Sequence, residues 1–235
     1  MDLDLPTQFG AVTREVLERD HEGTPHRLVV ATRSYPAPVD DVWDALTNPE
    51  RIPRWFLPVS GDLRLGGRYQ LEGNAGGTIT GCKPPRHLAV TWEFGGQVSW
   101  LEVHLDEDGD GATTLRLEHL VPTDDHWRRY GPGAVGIGWD LTLLGLADHL
   151  AGAERPDVEL ATRPEGLDYM RRSGDAWRDA HLAAGIDPED DVHRQAAAAT
   201  AAFTGEAGPE GPGDGSTGGA EGADSPDASG APGGA

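Results

Sequence analysis

The sequence predicts an α+β fold: a curved antiparallel sheet gripped at one end by two short helices and packed around a long helix from its C-terminal side. Three observations predict it. Residues 35–56, YPAPVDDVWDALTNPERIPRWF, read as a strand end feeding two short amphipathic helices. Residues 61–120 break into short alternating segments separated by glycine-rich turns, and residues 131–152 form an apolar run with helical spacing.

The first element is a hairpin. Val12, Arg14, Val16 and Glu18 alternate as in a half-exposed strand, residues 20–23 supply turn chemistry, and residues 26–35 make the second strand. In the run that follows, Pro38 suits the first position of a helix because its missing N–H would find no partner there. Asp40 and Asp41 set negative charge at the positive end of the helix dipole. Val39, Val42, Trp43 and Leu46 then share one helical face. Asn48 and Pro49 end this helix, and Thr47 and Glu50 stand at capping-box spacing for a second one, with Ile52, Trp55 and Phe56 as its apolar side.

Strands are expected near 61–65 and 68–72, joined tightly by Gly66 and Gly67, and then at 78–82, 87–94, 97–106 and 113–120. Gly95-Gly96 and the DEDGDG segment at 106–111 are the turns. Alternation points Leu88, Val90, Trp92 and Phe94 inward, with Leu101, Val103 and Leu105 and with Leu115, Leu117 and His119. Glu93, Glu102, His104, Arg116 and Glu118 fall on the wet side. A sheet dry on one side needs a cover, and residues 131–152 offer Trp139, Leu143, Leu146 and Leu150 on one stripe. Gly136, Gly138 and Gly145 each cost roughly 1 kcal/mol relative to Ala inside a helix, which argues for close approach to the sheet or the gripping helices.

Residues 155–203 predict two more helices. Thr162 and Glu165 stand at capping-box spacing before a stripe of Leu167, Met170, Trp177 and His181, and Asp187-Pro188 opens a second helix carrying Val192, Ala199 and Phe203. Trp177 and Phe203 need cover, so this pair is expected to pack back on the sheet in preference to forming a dimer contact or shielding a cavity mouth. Residues 205–235 contain no Lys, Arg or aromatic residue and are mostly Gly, Pro, Ala and Ser. Such a segment cannot bury enough apolar area to offset its ordering entropy, so a disordered acidic tail is expected. The organisation is therefore 1–152 for the sheet domain, with its core at about 27–151, 153–204 for the helical extension and 205–235 for the tail.

Composition removes several classes of function. The formal net charge of −21 leaves no basic surface for nucleic acid or for an acidic membrane. Cys82 is the single cysteine, so an internal disulfide is impossible. The start, MDLDLPTQFG, lacks the basic residues and apolar core of a signal peptide, and no stretch approaches the roughly 20 apolar residues that span a bilayer. A cytoplasmic protein without membrane insertion is expected. The nine histidines include no HExxH pair, and Cys82 has no CxxC companion. DEDGDG lacks the distal glutamate of a calcium loop, and GNAGGTITG at 73–81 lacks the lysine of a phosphate loop. No metal or other cofactor is expected.

Five pieces in this order, residues 35–56, DLRLGGRYQL at 62–71, PPRHLAVTWEF at 84–94, residues 99–120 and the helix containing GIGWDLTLLGLADHL, resemble the START/polyketide-cyclase (SRPBCC) superfamily. Within it they are most similar to the subgroup named for the C-terminal domain of the heat-shock-protein ATPase activator, over about 27–151. The resemblance implies a helix-grip fold: a seven-stranded sheet around a long C-terminal helix, with a hydrophobic cavity between. It implies functions ranging from lipid or polyketide binding, through cyclase and aromatase chemistry and hormone reception, to co-chaperone activity. Ahead of the match stands no separate domain of the kind that eukaryotic activators use to grip their chaperone, which argues against the last.

In that fold the cavity is expected to be lined by Trp92, Leu101, Val103, Leu117, His119, Trp139 and Leu143, with Arg129 and Tyr130 at its mouth. His119 is the one inward polar candidate: a catalytic acid or base if a partner carboxylate meets it, a hydrogen-bonded structural residue otherwise. The expected function is binding of a small hydrophobic molecule, lipid- or polyketide-like. A cyclase or aromatase using His119, and a co-chaperone-like module with a polar, filled interior, are the alternatives. A second copy of the chain and a chaperone are the macromolecular partners left open.

Overall fold

The computed structural model describes residues 4–153 and 159–206. The tail expected at 205–235 lies, from residue 207, outside the described residues. A short helix α1 (Leu5–Gly10) leads into one antiparallel sheet of eight strands. These are β1 (Val12–His21), β2 (Thr24–Tyr35), β3 (Val59–Gly61), β4 (Arg68–Leu71), β5 (Gly76–Lys83), β6 (His87–Phe94), β7 (Gln97–Glu107) and β8 (Thr113–Pro122), in the spatial order β1-β2-β8-β7-β6-β5-β4-β3. That is one strand more than the resemblance implies. β1 precedes the matched stretch and adds itself to the outside of β2, paired without interruption from Val12 opposite Arg33 to His21 opposite Thr24.

Two local expectations fail for identifiable reasons. Residues 62–65 are loop, because the Arg64 N–H bonds to the Asp62 carbonyl (2.8 Å) and the Gly67 N–H to the Arg64 carbonyl (2.8 Å), turning the chain on itself. After α2 (Val39–Thr47) the second gripping helix shrinks to a single 3-10 turn (Ile52–Arg54). The Thr47 hydroxyl turns back to donate to the Trp43 carbonyl (2.8 Å), and the Glu50 N–H that it would have capped goes to Asn48 Oδ1 instead (2.9 Å). The Trp55 indole N–H donates to the Ala45 carbonyl (3.0 Å) and ties this turn to α2.

The cover helix is α4 (Gly133–Leu150), entered through the short α3 (Asp125–Tyr130), whose N-terminus Asp124 caps by accepting the Trp127 N–H (3.0 Å). α5 (Pro164–Ala184) and α6 (Glu189–Thr204) pack back on the far side of α4, with α5 also against β1 and α6 also against α3. The expected Thr162 capping box does not form: its hydroxyl donates to the Glu159 carbonyl (2.9 Å), and Arg163 and Pro164 open α5. The α5–α6 turn is fastened by Asp187, which accepts from Arg27 of β2 (2.9 Å), the Trp127 indole (3.1 Å) and His181 (2.8 Å). Burial raises the pKa of this carboxyl, but the Arg27 and Trp127 hydrogen bonds outweigh it and hold it below the usual range.

The glycines of α4 divide. A Cβ on Gly145 would sit 2.9 Å from the Trp55 carbonyl, the expected approach to the gripping segment. Gly136 instead makes room for α5, since a Cβ there would lie 2.4 Å from Trp177 Cε2. Gly138 has open space by comparison, its nearest neighbour being Phe203 at 3.7 Å. The inward faces of β6, β7 and β8 are as alternation assigns them, except that Phe94 is 59 % exposed. It is the last residue before the Gly95-Gly96 turn, at the end of its strand.

Candidate functional site

Between the inward face of the sheet, α4 and the gripping segment lies a cavity of about 190 Å³. A single water needs only about 10–15 Å³, so the space is large enough for an organic guest. Trp92, Leu101, Val103, Leu117, Trp139 and Leu143 all border it. Cys82, Leu88, Trp92 and Thr142 border it and are only half-buried.

The wall polar groups are committed elsewhere. Thr142 donates to the Gly138 carbonyl (2.7 Å), Tyr69 to the Thr91 carbonyl (2.8 Å) and Thr47 to that of Trp43 (2.8 Å). Burial pushes the Tyr69 phenol above its ordinary value, so it stays neutral. Arg64, with 78 % of its side chain exposed and paired to Asp62, is the charged residue at the rim.

His119 does not border the cavity. It lies behind Trp139, 1 % exposed, with both ring nitrogens engaged. The Trp139 indole can only donate, and it donates to Nδ1 (3.0 Å), so the ring hydrogen sits on Nε2 and goes to Ser99 Oγ (2.8 Å). The Ser99 hydroxyl then donates to the Trp92 carbonyl (3.2 Å). Burial lowers the pKa of His119 to about 3, so the imidazole is neutral at ordinary pH. Arg129 and Tyr130 also lie away from the cavity. α3 is drawn toward α6 and the α5–α6 turn through Trp127 and Asp187 and through Gln195, which reaches the Arg128 carbonyl.

Sequence reasoning missed part of the wall. Ile79 and Cys82 both face the cavity although three residues apart, which simple alternation forbids. A bulge between Ile79 and Gly81 inserts the extra residue, pairing Ile79 with Val90 and Cys82 with Leu88. Ile52, Trp55 and Phe56 carried a readable signal, an apolar side with no stated cover, and they close the gripping end. A second buried polar group went unremarked. Asp140 of α4, 0 % exposed, accepts from Arg14 (2.9 Å), Trp177 (3.2 Å) and Ser173, and burial outweighs these partners to hold its carboxyl above the usual range.

A curved antiparallel sheet gripping a long helix around an apolar hollow defines a helix-grip protein of the SRPBCC type. The family model for Activator of Hsp90 ATPase homolog 1-like protein matches residues 36–151. The crystal structure of CalU16 from Micromonospora echinospora is 36 % identical, with a TM-score of 0.61 over 72 % of this chain and 98 % of that one. The solution structure of the same protein gives 34 % identity and a TM-score of 0.64 over 74 % and 97 %. A conserved protein of unknown function, EF2215 from Enterococcus faecalis, shares the fold at 17 % identity and a TM-score of 0.52 over 75 % and 95 %. No curated protein matches the chain. The chain belongs to the Activator of Hsp90 ATPase homolog 1-like family. No helix among the described residues is long and apolar enough to cross a membrane.

Proposed function

We propose that this protein is a cytoplasmic binder of a small, neutral, hydrophobic molecule, lipid- or polyketide-like, held between the sheet and α4. One observation carries the reading: an apolar hollow of about 190 Å³ whose wall hydroxyls already donate to backbone carbonyls. Such a wall disfavours charged guests and guests rich in acceptors, which would lose water and find the wall hydroxyls' donors already used. It favours flat or branched apolar ones, which contact Trp55, Phe56, Trp92 and Trp139. A cyclase or aromatase acting through His119 requires an acid or base beside the ring, whereas its hydrogen-bond partners are Ser99 and Trp139. The co-chaperone reading, carried by the family name, calls for a filled polar interior.

The test is titration with the neutral dye Nile red, together with native mass spectrometry of protein purified from its own host. Leu117, 4 % exposed in β8, projects into the hollow, so Leu117→Trp fills it from the wall. Saturable one-to-one binding by the natural protein is expected, weakened at least tenfold by the substitution with thermal stability retained. Absence of saturable binding, or equal binding by a folded Leu117→Trp variant, overturns the proposal.

A further inference from the structure

We propose that the outer face of the sheet carries a site for one divalent transition-metal ion, with His87, Glu102 and His104 as its ligands. The site is independent of the cavity, which lies on the opposite face. His87 of β6 and His104 of β7 are paired in register, so their side chains leave the sheet side by side. Glu102, two residues before His104, projects from the same face and reaches both rings. One of its oxygens lies 2.9 Å from His87 Nε2 and 3.5 Å from His104 Nε2. One ligand atom from each of the three residues lies within 4.8 Å of the other two. The imidazoles themselves stack at 4.7 Å with planes 27° apart.

These separations are close to what a metal requires. Bonds of about 2.0–2.2 Å in tetrahedral geometry place neighbouring donor atoms roughly 3.3–3.6 Å apart. Glu102 already sits near that distance from both nitrogens. The remaining adjustment falls on His104, whose side chain is 38 % exposed. Room for the His87 ring comes from Gly81 on β5: a Cβ there would stand 3.3 Å from His87 Cε1. Two imidazoles and one carboxylate select Zn²⁺, Ni²⁺ or Cu²⁺ over Mg²⁺ and Ca²⁺, and three protein ligands leave a fourth position for water.

The surrounding charge is divided. Lys83 pairs with His87 and Arg116 with His104 on the same face, and both oppose a cation. Arg116 is already neutralised by Glu118 at 2.8 Å, and the chain as a whole carries a formal charge of −21, which concentrates cations around it. No local motif announces the site, because the strand register, and not a spacing along one element, brings position 87 to positions 102 and 104.

The test uses the full chain without an affinity tag, stripped with a chelator and titrated with Zn²⁺ by calorimetry and with Co²⁺ by visible absorption. One equivalent is expected to bind, with a tetrahedral Co²⁺ spectrum and a rise in melting temperature on adding Zn²⁺. His87→Ala, His104→Ala and Glu102→Gln should each weaken binding at least tenfold with an unchanged circular dichroism spectrum. His193→Ala, on exposed α6, should leave it alone. No uptake of either ion, or uptake retained by the His87→Ala/His104→Ala double variant, overturns the proposal.

Discussion

Two alanine substitutions two residues apart on α4 should move stability in opposite directions. At position 136 the new Cβ would stand 2.4 Å from Trp177 Cε2 and 2.5 Å from Trp177 Nε1, where unstrained contacts lie at about 3.5–4.0 Å. Trp177 is 0 % exposed and its indole N–H is held by Asp140 (3.2 Å), so the ring can yield only by giving up that bond and disturbing its neighbours. Overpacking of this kind costs about 1–3 kcal/mol, and a hydrogen bond to a charged acceptor about 1.5–3 kcal/mol more. Against these stands the roughly 1 kcal/mol that Ala gains over Gly in a helix. The expected net effect of Gly136→Ala is a loss of about 1.5–5 kcal/mol. For Gly138→Ala only the propensity gain remains, because the nearest atom is Phe203 Cζ at 3.7 Å. In a chain of this size each kcal/mol shifts the melting temperature by about 2–4 °C. Scanning calorimetry should therefore find the first variant roughly 3–20 °C below the natural protein and the second about 2–4 °C above it. Shifts of the same sign, or a Gly136→Ala variant as stable as the parent, would refute the packing of α5 on α4.

Acid should expose the neutral state of His119. Its folded pKa of about 3 lies below the unfolded value near 6.5, so its contribution is complete above pH 6.5 and drains away as the pH falls toward 3, at up to about 1.4 kcal/mol per unit. His119→Gln, less stable at pH 7, should have narrowed the gap to the natural protein by about 2 kcal/mol at pH 5 in urea melts; a constant gap refutes the assignment. Asp187→Ala should cost about 3 kcal/mol, because it removes the acceptor shared by His181, the Trp127 indole and Arg27, leaving the buried guanidinium with Glu18 alone. A loss under 1 kcal/mol by the same melts would mean that the α5–α6 turn is held by other contacts.

The sheet was legible because every strand from β6 to β8 has one wet and one dry side, and a period of two survives any error in the strand ends. Leu101, Val103 and Leu117 can be assigned to the inward face on that ground alone, and the resemblance supplies the cavity that they border. Cys82 could not, because a bulge changes the parity of β5 without a residue type to announce it. His119 was placed on the correct face but one layer too shallow: alternation gives direction, while depth depends on Trp139, which arrives from α4 and stands in front of it. Chain order puts Arg129 and Tyr130 at the mouth, and what moves them away is Asp187, some sixty residues on, whose bond to Trp127 anchors α3 at the α5–α6 turn. The short gripping turn fails for a similar reason, since the Glu50 N–H has two candidate acceptors, Thr47 Oγ1 and Asn48 Oδ1, and only the folded backbone decides between them.

A hollow lined by large aromatic residues should be unstable toward its own side chains, since each could rotate inward and recover the contacts that empty space withholds. Here the polar end of several of them is fastened outside the hollow. Trp139 is held by His119, Tyr69 by the Thr91 carbonyl, and Trp55 by the Ala45 carbonyl, while Tyr35 beneath them donates to the Leu143 carbonyl of α4 (3.1 Å). Rotating any of these rings into the space would strand a buried donor or acceptor, at about 1–3 kcal/mol each, which is comparable to what the ring would gain by filling part of the void. The buried histidine that resembles a catalytic group is thus better understood as the anchor of a wall. It fixes the Trp139 indole, and through Ser99 it reaches the backbone of Trp92, so that the two rings stay in edge-to-face contact, 5.1 Å apart at 65°, as one fixed wall of the cavity.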